Sequence, residues 1–296
     1  MNTAAGKIRI YIVAFATIFV WSSTFISTKI LLKEFSPVEI LLYRFFAAWL
    51  LMFIVYPKVH RPESLKAELT LVLAGISGGS LYFLGENFAL RFSLASNVSL
   101  LVSTAPILTA ILAHFFIRGE KFSRNSISGA LIAFAGAALV ILNGTFVLKL
   151  NPAGDLLALS SALSWAVYSI TIKNLKTKYP TYYITRKIFF YTLLTSLPVV
   201  IVSPIRLQFS AFADPVMAVN FLFLAVFASC GAYVAWNRVI WTLGATKANN
   251  FIYFIPLLTL FESALILGEP LTPFAGVGTI LVVAGVFQAS KKTEHS

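Results

Sequence analysis

The sequence predicts an all-α integral membrane protein, with ten transmembrane helices arranged as two five-helix repeats in inverted topology. Three observations carry that prediction. The chain of 296 residues is 58% hydrophobic and 11% charged, whereas a soluble domain has about 25% charged residues. So little polarity cannot cover a soluble core, and lipid must be the solvent for most of the surface. The apolar residues also fall into ten runs of about 20, the length that crosses a bilayer as a helix. Finally, the stretch Ser96–Ile141 occurs twice, its second copy beginning at Thr246.

The predicted helices span 9–31, 37–56, 69–90, 95–117, 125–143, 153–174, 182–203, 217–241, 246–267 and 272–290. The N-terminus, MNTAAGKIRI, has no short apolar core with a small-residue cleavage site, and its apolar run continues for about 20 residues, so the first helix reads as an anchor and not a removable signal. The connectors carry the expected breakers: Ser36-Pro37, Pro57, Pro62, Asn143-Gly144, Pro152, Pro180, Pro204, Pro215, Pro270 and Pro273. None is long enough for a soluble domain. Glu39 and Lys29 stand close enough to helix ends to be solvated.

The duplication orders these helices. Trp21, Lys29 and Phe45 correspond to Trp165, Lys173 and Phe189 at a shift of 144. Asn87, Ala95 and Pro106 correspond to Asn237, Ala245 and Pro256 at a shift of 150. Gly119, Glu120, Gly129 and Gly136 correspond to Gly268, Glu269, Gly278 and Gly285 at a shift of 149. The repeats are placed at 1–147 and 148–296. Five is an odd number, so the second repeat enters the membrane from the side opposite to the first, about an axis in the membrane plane.

Lysine and arginine set the orientation. With the N-terminus inside, fourteen of them, among them Lys7, Arg9, Lys58, Arg61, Lys66, Arg118 and Lys247, fall on the inner side. Four, Lys33, Arg91, Lys149 and Arg206, fall on the outer side. Both termini are therefore expected in the cytoplasm, the chain being a multi-pass protein of the cytoplasmic (inner) membrane. The net charge of +12 is spread along loops, as topology requires, and does not point to nucleic acid.

These features together resemble the drug/metabolite transporter superfamily and, within it, the EamA family. The resemblance spans nearly the whole chain. It rests on WSSTF from Trp21, ALRFSLASN from Ala89, the paired cores APILTA from Ala105 and IPLLTL from Ile255, and the paired turns RGEK from Arg118 and LGEP from Leu267. Each turn leads into a Gly-rich closing helix. The resemblance implies a ten-helix carrier of small metabolites, often an exporter of amino acids or related compounds. It also implies that helices one, three, four, six, eight and nine surround the cavity, with five and ten apart from it.

Several residues are candidates for the site. Thr17, Trp21, Thr24 and Thr28 share one helical face, and Ser161, Trp165 and Tyr168 occupy matching positions on helix six. Tryptophan concentrates at membrane interfaces, so paired mid-depth Trp21 and Trp165 suggest an aromatic-walled cavity. A bare ion within lipid costs several kcal/mol, which singles out Glu86, Arg44 and Glu262. Glu86 either handles substrate or protons or pairs with Arg44. The substrate-contact set is Trp21, Thr24, Tyr82, Glu86, Asn87, Trp165, Tyr168, Asn237 and Tyr253. Pro106 and Pro256 lie mid-helix at matching places, where proline removes a hydrogen bond and kinks the helix, and are assigned to gating. Gly129, Ala133, Gly136, Gly278 and Gly285 read as packing residues, and the Gly-Glu turns as structural.

The expected function is a secondary active transporter exporting small metabolites by alternating access, with a small-molecule substrate, a proton as a candidate coupling ion, lipid around it, and a monomer or weak homodimer as its assembly. No cofactor or metal is expected: His60, His114 and His295 are scattered, and Cys230 is the only cysteine. A channel lacks its filter motif. A membrane-embedded enzyme or lipid-handling protein lacks an identifiable catalytic cluster, and no GxxxxGK supports ATP-driven pumping.

Overall fold

Each predicted run has its helical segment in the computed structural model, which describes residues 4–93, 95–118, 124–142, 151–175, 177–203, 205–206, 209–267 and 273–290. The segments are α1 (Ala4–Leu31), α2 (Pro37–Val55), α3 (Leu65–Phe92), α4 (Ala95–Val102 and Ala105–Phe116) and α5 (Arg124–Leu142). They continue as α6 (Pro152–Asn174), α7 (Thr181–Val202), α8 (Pro215–Leu243), α9 (Ala245–Asn249, Asn250–Tyr253 and Phe254–Leu267) and α10 (Pro273–Ser290). No strand occurs among the described residues. Seven segments are long and apolar enough to cross a membrane by length and composition, namely α1 to α4 and α6 to α8. Their outward faces are apolar too, as at Ile54, Phe116, Ile201 and Leu222. The Gly119-Glu120 and Gly268-Glu269 turns and the repeat boundary after residue 147 lie outside the described residues.

Helix starts follow local chemistry. At α2, Ser36 Oγ accepts from the Glu39 backbone and Glu39 Oε2 accepts from the Ser36 backbone at 2.7 Å, a reciprocal cap with Pro37 behind it. Glu39 also accepts from Arg206 N at 2.6 Å and is buried, so it is not the solvated residue its position suggested. Asn151 caps α6 by accepting from Gly154 N. Gly244, at φ 93°, makes the turn from α8 into α9 in a conformation glycine adopts without strain.

Hydrogen bonds at helix ends show the inversion. Lys29, at the C-terminal end of α1, donates to Leu90 O (2.6 Å) and Ser93 O (3.2 Å) at the C-terminal end of α3. Its repeat partner Lys173, at the end of α6, donates to Trp241 O (3.3 Å) at the end of α8. A cation suits the partial negative charge of those last carbonyls. Asn151, at the start of α6, donates to Phe92 O at the end of α3 at 3.1 Å. Helix α6 therefore begins where α1 and α3 finish, and the repeats run in opposite senses.

Helices α5 and α10 pack antiparallel on their small residues. A Cβ added at Gly129 would lie 2.5 Å from Gly285 O, and one at Gly136 would lie 2.7 Å from Gly278 O. Backbones this close are what small residues permit in a lipid solvent, where dispersion and not hydrophobicity joins helices.

Four helices are interrupted, in matched pairs. Helix α4 breaks at Ser103-Thr104 and resumes at Ala105, with the buried Pro106 in its new first turn. Helix α9 passes through a 3₁₀ turn at Asn250–Tyr253 and resumes at Phe254, just before Pro256. Helices α3 and α8 carry wide π turns at Ile76–Ser80 and Phe223–Gly231. A π turn frees carbonyls from the helix ladder, and side chains of other helices take them. Ser164 donates to Ser77 O at 2.8 Å, Thr192 to Gly75 O at 3.1 Å, and Tyr233 to Gly78 O. Across the repeat, Trp21 Nε1 donates to Ala228 O at 3.0 Å. Gly78 and Ala228 are equivalent at the shift of 150, so each repeat lends an aromatic donor to the π turn of the other.

Candidate functional site

The interrupted helices enclose one cavity at the junction of the repeats. It is lined by Trp21, Thr24 and Phe25 of α1, Arg44 of α2, Tyr82, Phe83 and Glu86 of α3, Val102 of α4, Trp165 of α6, Tyr233 of α8, and Ile252 and Ile255 of α9. No lining residue comes from α5, α7 or α10. The space is nearly shut: the centre of a water-sized sphere can occupy about 30 Å³ of it, room for two or so waters.

Aromatic rings form half of the wall, and they pack on one another edge to face or tilted. Trp21 and Trp165 meet with centroids 5.1 Å apart at 89°, and Trp21 meets Trp236 at 5.0 Å. Trp165 contacts Tyr82 at 5.1 Å and Tyr168 at 4.9 Å. Each such pair contributes about 0.5–1.5 kcal/mol beyond its buried area. Both indole N–H groups are satisfied inside the protein, Trp21 by Ala228 O and Trp165 by Asn249 Oδ1 at 3.0 Å. The rings therefore present apolar faces and edges to the cavity.

Charge enters from the first repeat alone. Arg44 is 2% exposed, its Nε donating to Ser229 Oγ at 2.7 Å. Its guanidinium carbon lies 4.3 Å from the Phe83 ring centroid and 5.5 Å from that of Phe45, a cation–π arrangement that in a desolvated site is worth about 2 kcal/mol. Glu86, also 2% exposed, interacts with the Tyr82 hydroxyl one turn before it on α3. Arg44 and Glu86 face the same cavity yet are not joined as an ion pair; among the described residues that bond is made by Lys187 and Glu68. At the repeat-equivalent positions of Arg44, Tyr82 and Glu86 stand Ile188, Ala232 and Trp236. Symmetry builds the cavity, and these three substitutions polarise it.

Of the nine candidate contact residues, the structure brings Trp21, Thr24, Tyr82, Glu86 and Trp165 to the cavity. Four stand elsewhere. Asn87 donates to Pro37 O at 3.1 Å and so ties α3 to the start of α2. Asn237 does the same for α8, donating to Thr185 Oγ1 at 3.3 Å while accepting from the Tyr168 hydroxyl at 2.5 Å. Tyr168 backs Trp165 from behind. Tyr253 is fully buried against Ala130, Ala133 and Val282 of the α5–α10 pair. Pro106 and Pro256 sit at the helix breaks and do not line the cavity, although Val102, Ile252 and Ile255 beside them do. Sequence reasoning passed over Phe25, Phe83, Val102, Tyr233, Ile252 and Ile255. The shift of 150 pairs Phe83 with Tyr233 and Val102 with Ile252, a signal that could have found them. No cluster of metal-ligating side chains occurs among the described residues.

Known proteins resemble this chain throughout its length. Residues 8–142 and 152–290 each match the EamA-like transporter family. An uncharacterized transporter of Archaeoglobus fulgidus is 30% identical over 285 residues, covering 93% of this chain and 95% of its own. A probable terminal-alkyne amino-acid exporter of Streptantibioticus cattleyicolor is 25% identical, covering 94% of this chain and 92% of its own. A probable amino-acid metabolite efflux pump of Salmonella typhimurium is 24% identical, covering 93% and 92%. A solved crystal structure superposes with a TM-score of 0.74 at 17% identity over 95% of this chain and 97% of its own, a likeness of fold. With both halves matched, the chain belongs to the EamA-like transporter family and is a multi-pass membrane transporter.

Proposed function

We propose that the protein is a secondary active carrier that exports small zwitterionic metabolites, apolar amino acids among them, by alternating access through this cavity. The observation that carries the proposal is one nearly shut cavity in which a buried guanidinium, a buried carboxyl and six aromatic rings converge. Arginine offers a planar fork that fits a carboxylate, so Arg44 takes the acid end of the substrate. Glu86 takes the ammonium, and Trp21, Trp165 and Tyr233 take the apolar side chain. The amino-acid names of two relatives agree with this choice of substrate. The cavity must widen to admit an amino acid, and the breaks in α4 and α9 together with the π turns of α3 and α8 are the joints at which it does so. The lysine and arginine distribution orients the chain with both termini in the cytoplasm. A monomer or weak homodimer suffices, because the site lies within one chain.

Substituted cysteines test the location. Thr24→Cys and Ile252→Cys place a thiol in the wall from each repeat, in a Cys230→Ala background. Phenylalanine or leucine should slow their labelling by a small thiol reagent severalfold. A cysteine at exposed Lys66 should label at one rate throughout. Equal rates at all three sites with and without amino acid would place the substrate elsewhere.

A further inference from the structure

Behind the cavity wall, α1 and α9 meet at a second buried carboxyl. Glu262 lies towards the C-terminal end of α9 and is 6% exposed. Its Oε1 is 2.6 Å from Ser22 Oγ, and Thr259 Oγ1 donates to Ser22 O at 3.2 Å. Ser22 is the neighbour of Trp21, so this contact and the cavity share one turn of α1.

The Ser22 hydroxyl has more short contacts than hydrogens. Ser22 Oγ lies 2.7 Å from Phe19 O as well as 2.6 Å from Glu262 Oε1. A backbone carbonyl has no hydrogen to give, and a serine hydroxyl has one. One hydrogen cannot serve two contacts this short at full strength. A protonated Glu262 supplies the second hydrogen, donating to Ser22 while Ser22 donates to Phe19 O. The other oxygen, Oε2, is buried without a partner, which a neutral carbonyl oxygen bears at lower cost than a carboxylate.

Among the described residues no cation stands ready to balance a carboxylate there. The interactions resolved for Glu262 are with Ser22 and Ser23. On α1, Lys29 is held by Leu90 O and Ser93 O, Lys7 and Arg9 lie at the start of the helix, and Tyr11 packs on Phe251. On α9, Lys247 is in the first turn and Tyr253 faces the α5–α10 pair. Helix α5 carries only Arg124, at its start, and neither α10 nor the first piece of α4 carries an ionisable side chain.

We propose that Glu262 is a proton-binding site, loaded in this conformation, whose release of the proton acts on the cavity through α1. On release the carboxyl O–H bond breaks, the proton passes to water, and a carboxylate remains. A bare carboxylate costs several kcal/mol in this setting, so α9 must part from α1 to hydrate it. That movement displaces Trp21 and Thr24 on one side and Ile252 and Ile255 on the other. The proposal concerns proton binding and is independent of which metabolite the cavity accepts.

The test uses full-length protein in nanodiscs, titrated with alkali and followed by infrared and tryptophan fluorescence spectroscopy. Glu262→Gln keeps the donor to Ser22, so it should fold. The wild type should show the carbonyl band of a protonated carboxyl at neutral pH. The band should vanish at alkaline pH together with a change in fluorescence from the Trp21–Trp165–Trp236 cluster. Both signals should be lost in Glu262→Gln and kept in Glu86→Gln. Three results would overturn the proposal: no such band at neutral pH, a band that survives in Glu262→Gln, or a band that titrates without any change in fluorescence. Loss of amino-acid transport with these titrations intact would instead count against the metabolite reading alone.

Discussion

Gly285→Val should leave little folded protein. An added Cβ there would lie 2.3 Å from Ala133 N, 2.6 Å from Gly129 O and 2.7 Å from Ala133 Cα. All three are backbone or backbone-attached atoms, so no side chain can turn aside, and α5 and α10 would have to separate. Overpacking in a core that can adjust costs about 1–3 kcal/mol, and this seam has less room to adjust. Its other side faces lipid, which offers no hydrophobic force to push the helices together again. The expected result is a large drop in monodisperse yield on size-exclusion chromatography and a melting temperature lowered by several degrees. Gly276→Ala, on the same helix, meets nothing within 4 Å and should behave as wild type. A wild-type melt for Gly285→Val would mean that the two repeats are not locked along this seam.

Glu86→Gln should insert, fold and lose most transport. The substitution keeps the shape of the side chain while removing the charge that the ammonium of a substrate needs. Losing one member of a buried charged contact costs roughly 2–5 kcal/mol, so the initial rate of phenylalanine uptake into proteoliposomes should fall by about 30-fold or more. Arg44→Gln should lose transport equally, because nothing in the second repeat replaces it: the equivalent residue is Ile188. The double variant separates two accounts. If the pair only balanced each other's charge, Arg44→Gln/Glu86→Gln would regain activity. If each holds one end of the substrate, the double variant stays inactive, which is the outcome expected from two groups that face the cavity without joining as an ion pair.

Much of this architecture was legible in the sequence because lipid leaves the chain few choices. Backbone groups in hydrocarbon must bond within a helix, so length and apolarity locate the spans, and Trp21/Trp165 and Pro106/Pro256 reveal the repeat. The wall was legible in part. A mid-depth tryptophan is conspicuous, and both proved to face the cavity. A mid-depth asparagine is equally conspicuous but needs only some polar partner. Asn87 and Asn237 find theirs on the neighbouring helix and tie it in place. Helical phase also misled. A π turn adds a residue to its turn, which rotates everything beyond it by about 100° relative to an unbroken α-helix. Spacing arguments along α3 and α8 therefore lose register at Ile76–Ser80 and Phe223–Gly231, and Phe83 and Tyr233 lie just past those turns. Glu39 misled in a different way: it lies at a helix end, but Arg206 N crosses from another loop to cover it.

The claim that the cavity is a substrate site alternately open to each side is tested most directly by counterflow. Proteoliposomes loaded with unlabelled phenylalanine and diluted into tracer phenylalanine should show transient accumulation of tracer, because a carrier that returns loaded exchanges one molecule for another. The overshoot should saturate with concentration, disappear in Arg44→Gln, and persist in Gly276→Ala. Linear, non-saturating tracer entry without an overshoot would mean an open path and not a carrier. An overshoot undiminished in Arg44→Gln would mean that the carrier binds its substrate somewhere other than this cavity.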